Sequence, residues 1–131
     1  MLFSKQCMYA IRGLTEMAQF PKGQLCSVQY LSKKLNLPSA SLSKSFQPLV
    51  KQGVLTSTPG RFGGFSLSRQ PEDITLHELK LLLEPSQKET DTHRFDYNAD
   101  AEFTMWNQLQ SDIEGFLKKT TIADLHQSLI K

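Results

Sequence analysis

Residues 27–67 read SVQYLSKKLNLPSASLSKSFQPLVKQGVLTSTPGRFGGFSL, and the fold is decided within this stretch. A short helix is predicted to begin after its cap Ser27 and to end at Asn36, and another helix to run from Ser39 to Gly53. Two short helices joined by such a tight turn are typical of a helix-turn-helix.

The end of the same stretch predicts a β-hairpin. Its two arms, residues 55–59 and 65–69, alternate in polarity and flank the turn Gly60-Arg61-Phe62-Gly63-Gly64, whose glycines supply positive φ angles. The tip is expected to be exposed and to carry one arginine. Three helices followed by a glycine hairpin are typical of a winged helix, in which the third helix enters the major groove of DNA and the hairpin reaches the backbone or minor groove.

Pro48 conflicts with a regular third helix. It lies well inside the predicted helix, where it removes the donor that would bond to the Lys44 carbonyl, at a cost of about 3 kcal/mol. Either the helix kinks at Pro48, or it ends early and restarts with Pro48 in a first turn.

Further helices are predicted on both sides of residues 27–67. An amphipathic helix follows the cap Ser4, a capping box at Thr75-Leu76-His77-Glu78 opens a helix that Pro85 ends, and a longer helix begins at Ala101. A last helix follows Thr121.

The elements predict a mostly α-helical chain with a small β-wing. Residues 1–75 are expected to form a winged helix-turn-helix DNA-binding module. Residues 76–131 are expected to form a linker helix, a polar sensing loop over residues 86–100, and dimerisation helices.

Charge divides the chain at the same place. Residues 1–75 hold nine basic and three acidic side chains, a net charge of +6, whereas residues 76–131 hold six basic and ten acidic ones, a net charge of −4. Because a face of one sign attracts a polyanion over long range, the N-terminal half is the candidate nucleic-acid side.

Composition excludes several classes of protein. A chain of 131 residues that is 39% hydrophobic can bury one core, so wholesale disorder is excluded. No apolar run approaches the ~20 residues of a membrane span, and the N-terminus lacks the pattern of a signal peptide. We expect a soluble cytoplasmic protein that does not bind membranes.

The reactive side chains do not indicate catalysis or a metal centre. The chain offers no nucleophile beside a base, no paired carboxylates and no phosphate-binding loop, and its histidines are scattered. Cys7 and Cys26 lack the C-x-x-C spacing of a zinc or redox site. Cys7 is expected to be a small core residue, and a thiol switch between the two cysteines is the alternative. No enzyme activity, metal or cofactor is predicted.

Candidate DNA contacts lie on the third helix and the hairpin. Hydroxyl and amide groups can bond to base edges or phosphates, lysine neutralises phosphate, and a narrow minor groove favours an arginine held at a hairpin tip. The adjoining Lys33 and Lys34 favour this interpretation over an ordinary solvated helix face. The predicted DNA-binding residues are Ser39, Ser41, Ser43, Lys44, Gln47, Lys51 and Arg61.

The long C-terminal helix carries an aromatic-rich apolar stripe. Because it is appended to a module that its own helices already close, the stripe is interpreted as a dimer seam. The predicted interface residues are Phe103, Trp106, Leu109, Ile113 and Phe116.

These motifs resemble the Rrf-type (IscR-, NsrR- and CymR-like) family of winged helix-turn-helix transcription regulators over nearly the full length. The wing-to-helix region is the most specific part of the likeness. The residues that carry it are Tyr9-Ala10 with Arg12 and Leu14, Leu42-x-x-x-Phe46 with Leu49 and Gly53, Gly60-x-x-Gly63-Gly64-Phe65-x-Leu67, Pro71-Glu72-x-Ile74-Thr75-Leu76, Trp106, and Thr121-Ile122-Ala123-Asp124-Leu125.

The resemblance implies a homodimer with crossing C-terminal helices that reads a palindromic promoter site, usually as a repressor. It also implies, for the sensing members, an iron-sulfur cluster held by three cysteines before the long helix. Residues 84–103 of this chain contain no cysteine and only His93 among common iron ligands. We therefore expect no family-type cluster, because one imidazole cannot replace three thiolates.

Sequence readout is expected to differ from that of the cluster sensors. The family often has Tyr and Glu where this chain has Ser41 and Ser43, and a basic residue where it has Pro59, so Arg61 is a candidate for the wing contact. The hypothesis is a cluster-free, dimeric DNA-binding transcription regulator. The alternative is a protein-interaction module of the same fold, regulated by a partner protein or a small molecule that docks near residues 86–100.

Overall fold

The computed structural model describes residues 3–84 and 100–129, and for residues 100–103 the backbone alone. Within these ranges the elements are α1 Lys5–Met17, α2 Val28–Leu35, α3 Ser39–Lys51, β1 Leu55–Thr58, β2 Gly64–Leu67, a 3-10 turn Pro71–Asp73, α4 Leu76–Leu83, α5 Asp100–Lys119 and α6 Ile122–Leu129. The predicted winged helix, mostly α-helical with a small β-wing, is confirmed. The predicted sensing loop at 86–100 and the helix end at Pro85 lie outside the described residues, except for Asp100, where α5 begins.

Helix α1 runs through the middle of the core. The Ser4 hydroxyl caps it by accepting a hydrogen bond of 3.1 Å from the Cys7 N–H, as expected from the sequence. Its buried residues recur at helical spacing and pack against α3, α4 and α6. One side of α1 therefore supports the helix-turn-helix and the other supports the C-terminal part of the chain.

The turn between α2 and α3 is fixed by one left-handed residue and by a hydrogen bond from α1. Asn36 ends α2 in the left-handed conformation, with φ 56°, which asparagine tolerates better than most residues. The Arg12 guanidinium on α1 donates a hydrogen bond of 3.2 Å to the Leu35 carbonyl at the C-terminus of α2. This contact satisfies one of the free carbonyls of a helix end and ties α2 to α1.

Helix α3 continues through Pro48 to Lys51 as one α-helix, so the predicted alternative of a helix that ends and restarts is wrong. The Lys44 carbonyl, which Pro48 cannot reach with an N–H, lies 3.5 Å from the Gln6 side-chain nitrogen of α1. The packing of Leu42, Phe46 and Leu49 in the core holds the helix on both sides of the proline.

The wing is a short antiparallel pair of strands. Leu55 pairs with Leu67 and Thr58 with Gly64, so both arms end before the predicted residues 59 and 69. Cys26, just before α2, extends the pair with hydrogen bonds of 2.8 and 2.9 Å to the backbone of Phe65. The wing is therefore anchored to the start of the helix-turn-helix by backbone bonds.

The C-terminal part returns to the same core. The backbone N–H of Leu76 donates to the Thr120 carbonyl, and that of Ile122 donates to the Ile74 carbonyl, both at 2.9 Å. The Thr75 hydroxyl caps α4 as predicted, accepting from the Glu78 N–H at 3.1 Å. The Glu78 carboxylate, predicted to bond back to the cap, accepts hydrogen bonds of 2.6 and 2.9 Å from Arg69.

We predict opposite effects of Gly→Ala substitutions in α1 and α5. A Cβ on Gly13 would lie 2.5 Å from the buried Phe46 ring, so Gly13→Ala should lower the free energy of unfolding by about 1–3 kcal/mol. Gly115→Ala meets nothing within 4 Å and should raise it by up to about 1 kcal/mol through helix propensity. Urea unfolding followed by circular dichroism measures both, and a stabilised Gly13→Ala variant would contradict the close approach of α1 and α3.

Candidate nucleic-acid interface

The exposed side of α3 carries three of the predicted contacts at helical spacing. Lys44, Gln47 and Lys51 project from the side opposite the buried Leu42 and Phe46. Together with Ala40 they occupy positions i, i+4, i+7 and i+11 of the helix. Ala40 was not predicted from the sequence because its side chain has no hydrogen-bonding group. Ser39 is also exposed and lies at the first turn.

The two other predicted serines lie on different flanks of α3. Ser43 is half-buried and borders the wing together with Ser39. Ser41 is half-buried on the opposite flank, about 160° around the helix from Ser39. Its carbonyl accepts a hydrogen bond of 2.8 Å from the Ser45 hydroxyl. The structure therefore brings Ser39 and Ser43 together and places Ser41 away from them.

A groove of about 370 Å³ separates α3 from the wing. The first turns of α3 form one wall and the strand ends and turn of the wing form the other, and Gln29 of α2 also lines the groove. Most of the lining residues are small or polar, and they include Ser39, Ala40, Ser43, Ser57, Thr58 and Gly60. Gln29 was not predicted from the sequence because it lies on α2, and the predicted contacts lie on α3 and the hairpin.

The N-terminus of α3 opens beside this groove. Its N-cap is Pro38, and no side chain bonds to the first-turn N–H groups. Free N–H groups at a helix N-terminus, together with the helix dipole, form a site that suits a phosphate.

Arg61 lies on the other side of the wing turn. It is exposed and, with the neighbouring Phe62, borders a second cleft, of about 560 Å³, against the segment between α1 and α2. The Arg61 guanidinium carbon lies 5.6 Å from the centre of the Phe62 ring. The structure therefore places Arg61 at the wing tip and not within the α3 groove.

The charge around this surface is of one sign. Residues 17–71 contain no acidic side chain, from the end of α1 to the start of the 3-10 turn. Lys33, Lys34, Lys44, Lys51 and Arg61 are all exposed within that range. A polyanion would meet positive potential on the helix-turn-helix and the wing alike.

Some of the apolar residues of α5 are exposed and others face the core. Met105, Leu109 and Phe116 are 74%, 49% and 66% exposed, and we call these three residues the α5 stripe. Ile113 is 36% exposed and Trp106 is half-buried. Met105 was missed among the predicted interface residues, and the side chain of Phe103 lies outside the described residues.

Both cysteines are buried, and the prediction that Cys7 is a core residue is confirmed. Burial and the neighbouring Glu84 carboxylate raise the pKa of the Cys7 thiol to about 12. Burial, with a contribution from Glu16, raises the pKa of Cys26. Cys7 and Glu16 are separated along α1 by about 13 Å, so the two thiols belong to opposite ends of that helix.

Comparisons with known proteins agree with this geometry. The sequence profile of the Rrf2 family, described as iron-dependent transcriptional regulators, matches residues 3–128. A protein of Aquifex aeolicus named as an HTH-type transcriptional regulator is 33% identical over 132 residues, which cover 95% of this chain and 91% of the relative.

Solved structures show the same fold. The structure of T. potens IscR superposes with a TM-score of 0.78 at 25% identity and covers 98% of this chain and 88% of that one. CymR, the global cysteine regulator of B. subtilis, superposes with a TM-score of 0.79 at 24% identity and covers 98% of each chain.

The architecture defines the class as winged helix-turn-helix proteins. Within that class, the chain belongs to the Rrf2 family of helix-turn-helix transcription regulators. The resemblance deduced from the motifs is thereby confirmed, and so is the prediction that the chain is not an enzyme. None of the helices in the described ranges is long and apolar enough to cross a membrane.

The residues of this chain do not fit the iron-sulfur cluster that the family implies. The whole sequence holds two cysteines, whereas such clusters are usually held by several thiolates. The Cys7 thiol is kept protonated beside Glu84, and Cys26 is a backbone partner of the wing. In the part of the chain that the structure describes, no three His, Cys, Asp or Glu side chains are placed to hold a metal ion.

The raised pKa of Cys7 predicts a pH-dependent stability. The folded chain retains the thiol proton up to a pH of about 12, whereas the unfolded chain releases it near pH 9.0, so the Cys7 contribution to stability falls as the pH rises between these values. From pH 8 to pH 10 the wild type should lose about 1.4 kcal/mol more unfolding free energy than Cys7→Ala. Urea unfolding at both pH values measures this difference, and an equal loss in the two proteins would show that Cys7 ionises freely in the folded state.

Proposed function

We propose that this protein is a homodimeric, sequence-specific DNA-binding transcription regulator that represses from a palindromic promoter site. The observation that carries the proposal is the groove between α3 and the wing, which lies on a surface without acidic residues and opens beside the N-terminus of a helix. Such a surface suits a sugar-phosphate backbone lying between a helix in the major groove and a wing at the minor groove.

In this arrangement α3 lies in the major groove. Lys44, Gln47 and Lys51 face the bases and the phosphates from its exposed side, and the methyl group of Ala40 can contact a thymine methyl. Ser39 and Ser43 bond to the phosphate that enters the groove beside the wing. Ser41 contributes only if the helix rolls toward its flank, and Arg61 reaches the minor groove from the wing.

The α5 stripe is the proposed dimer seam. Three large apolar side chains on one side of a 20-residue helix would be covered by the same helix of a second copy, because a two-fold interface pairs a patch with itself. Ile113 and Trp106 complete the seam at its inner edge, and Phe103 remains a proposed member whose side chain lies outside the described residues. The two winged helices would then face two half-sites about one helical turn apart, or a multiple of it.

The proposed regulator works without the family-type cluster. One of its two cysteines packs in the core and the other bonds to the wing. The signal is therefore sensed without an iron-sulfur cluster, and the effector is a small molecule or a protein. The expected effector site at residues 86–100 lies outside the described side chains. These residues begin two positions after Glu84, whose carboxylate accepts a hydrogen bond of 3.0 Å from the Ser4 N–H at the start of α1.

We predict that removing single cations from the surface changes both affinity and salt dependence. On the duplex that the wild type selects from a random library, Arg61→Ala should weaken binding by about 1–3 kcal/mol, and Lys44→Ala should reduce the slope of log K against log salt by about 1. Fluorescence anisotropy at four salt concentrations measures both quantities. Lys119→Ala, at the end of α5, is the matched control and should bind like the wild type.

The same titration separates the proposal from a protein-interaction module. A DNA regulator loses affinity steeply and log-linearly with salt. A wild type that enriches no duplex at low salt, and that co-purifies with a protein partner, would favour the interaction module.

We predict that a charge in the α5 stripe dissociates the dimer. Phe116→Asp buries an unpaired carboxylate in the seam, so the chain should sediment as a monomer at concentrations where the wild type is a dimer, and operator affinity should fall at least tenfold. Leu25→Asp, at a similarly apolar exposed position between α1 and α2, is the control and should remain dimeric. A dimeric Phe116→Asp protein in analytical ultracentrifugation would place the interface elsewhere.

A further inference from the structure

Phe62 is the most exposed large hydrophobic side chain among the described residues, at 87%. It lies at the tip of the wing, in the turn that joins β1 to β2. An exposed apolar residue is common by itself. Its position at a tip that is proposed to approach DNA makes it informative.

The wing turn holds Phe62 in this exposed position. The Gly63 N–H bonds to the Gly60 carbonyl at 3.1 Å, so Arg61 and Phe62 are the two central residues of a closed turn. Gly60 has a φ of 104°, and a Cβ on Gly63 would lie 1.9 Å from the Thr58 carbonyl oxygen. The backbone on either side is therefore fixed, and the two side chains are presented outward together.

The surroundings of Phe62 favour a nucleic acid as the molecule that covers it. Arg61 lies beside the ring, with 5.6 Å between its guanidinium carbon and the ring centre, and no acidic residue occurs between residues 17 and 71. A cation beside an aromatic tip suits phosphates next to stacked bases. A purely apolar protein partner would have to desolvate that cation.

The groove between α3 and the wing fixes which part of the duplex the tip reaches. If one sugar-phosphate strand lies in this groove, α3 is on the major-groove side of that strand and the wing turn is on its minor-groove side. Proteins at the minor groove frequently insert apolar side chains, including phenylalanine, between base steps and kink the duplex.

We infer that Phe62 is a minor-groove wedge: its ring inserts into a base step beside Arg61, bends the operator and selects steps that unstack easily. The inference rests on the proposed DNA-binding function and adds a specificity-determining residue to it. Pyrimidine-purine steps such as TA and CA are the expected sites, because they unstack and kink most easily.

The test compares Phe62→Ala, Phe62→Leu and the wild-type chain on one duplex that the wild type selects from a random library. The wild type should bend the duplex by about 20–90°, measured by energy transfer between dyes at its ends. When 2-aminopurine is placed at successive base steps of the duplex, the wild type should raise its fluorescence at one step in each half-site, where the bases unstack. Phe62→Ala should lose both signals and bind roughly tenfold more weakly, with an unchanged salt slope because no charge is removed.

Phe62→Leu keeps an apolar wedge and should retain most of the bend. Leu129→Ala is the matched control, since it removes an exposed apolar side chain at the end of α6, outside the cleft that Phe62 borders, and thermal unfolding checks that each variant folds like the wild type. If Phe62→Ala binds and bends the selected duplex as the wild type does, the wedge is refuted while DNA binding stands. If the wild type selects no duplex, the proposed function fails and the wedge with it. If Phe62→Ala abolishes the binding of a co-purifying protein while DNA bending is intact, the tip is a protein contact and the inference is wrong.

Discussion

The packing of Phe46 between α1 and the wing is the contact on which the rest of the structure depends. Its ring lies against Gly13, where no Cβ fits, and makes an edge-to-face contact with Phe65 of β2 at 5.0 Å between ring centres. One buried aromatic side chain of α3 thus sets the distance of that helix from α1 and from the wing. Dense packing transmits any change at this point, because a core has little free volume.

The geometry of the proposed DNA interface depends on that contact. The groove has α3 as one wall and the wing as the other, so its width follows from how Phe46 and Phe65 meet. The backbone bonds between Cys26 and Phe65 then join the wing to the start of α2, and Arg12 joins the end of α2 to α1. The surface offered to DNA is therefore a rigid part of the fold, as precise recognition of a duplex requires.

Much of the fold could be predicted from the sequence because its signals are local. Helix periodicity, the caps Ser4, Ser27 and Thr75, and the glycines of the wing turn each depend on neighbouring residues, and the structure has helices and a hairpin where they were expected. The effect of Pro48 could not be predicted in this way, because the helix is held on both sides of the proline by long-range packing of Phe46 and Leu49 in the core. The link between Cys26 and Phe65 is also invisible locally, since it joins residues far apart in sequence.

The candidate site was predictable in its location and less so in its members. Lys44, Gln47 and Lys51 share one side of α3, and Ala40 belongs with them although its side chain has no hydrogen-bonding group. Ser41 was predicted because of its hydroxyl group, yet it lies on the flank of α3 opposite Ser39 and Ser43. Which of the apolar residues of α5 are exposed depends on how α5 packs against α4, and that packing separates the α5 stripe from Trp106 and Leu117.

We propose that α3 and the wing form one DNA-reading surface, which a dimer presents twice. Selection of duplexes from a random library by this chain, followed by sequencing, is the decisive measurement. We expect enrichment of an inverted repeat whose half-sites are separated by about 10 base pairs or a multiple of that spacing. Enrichment of a single asymmetric site would contradict the dimer, and no enrichment at low salt would contradict the DNA-reading surface itself.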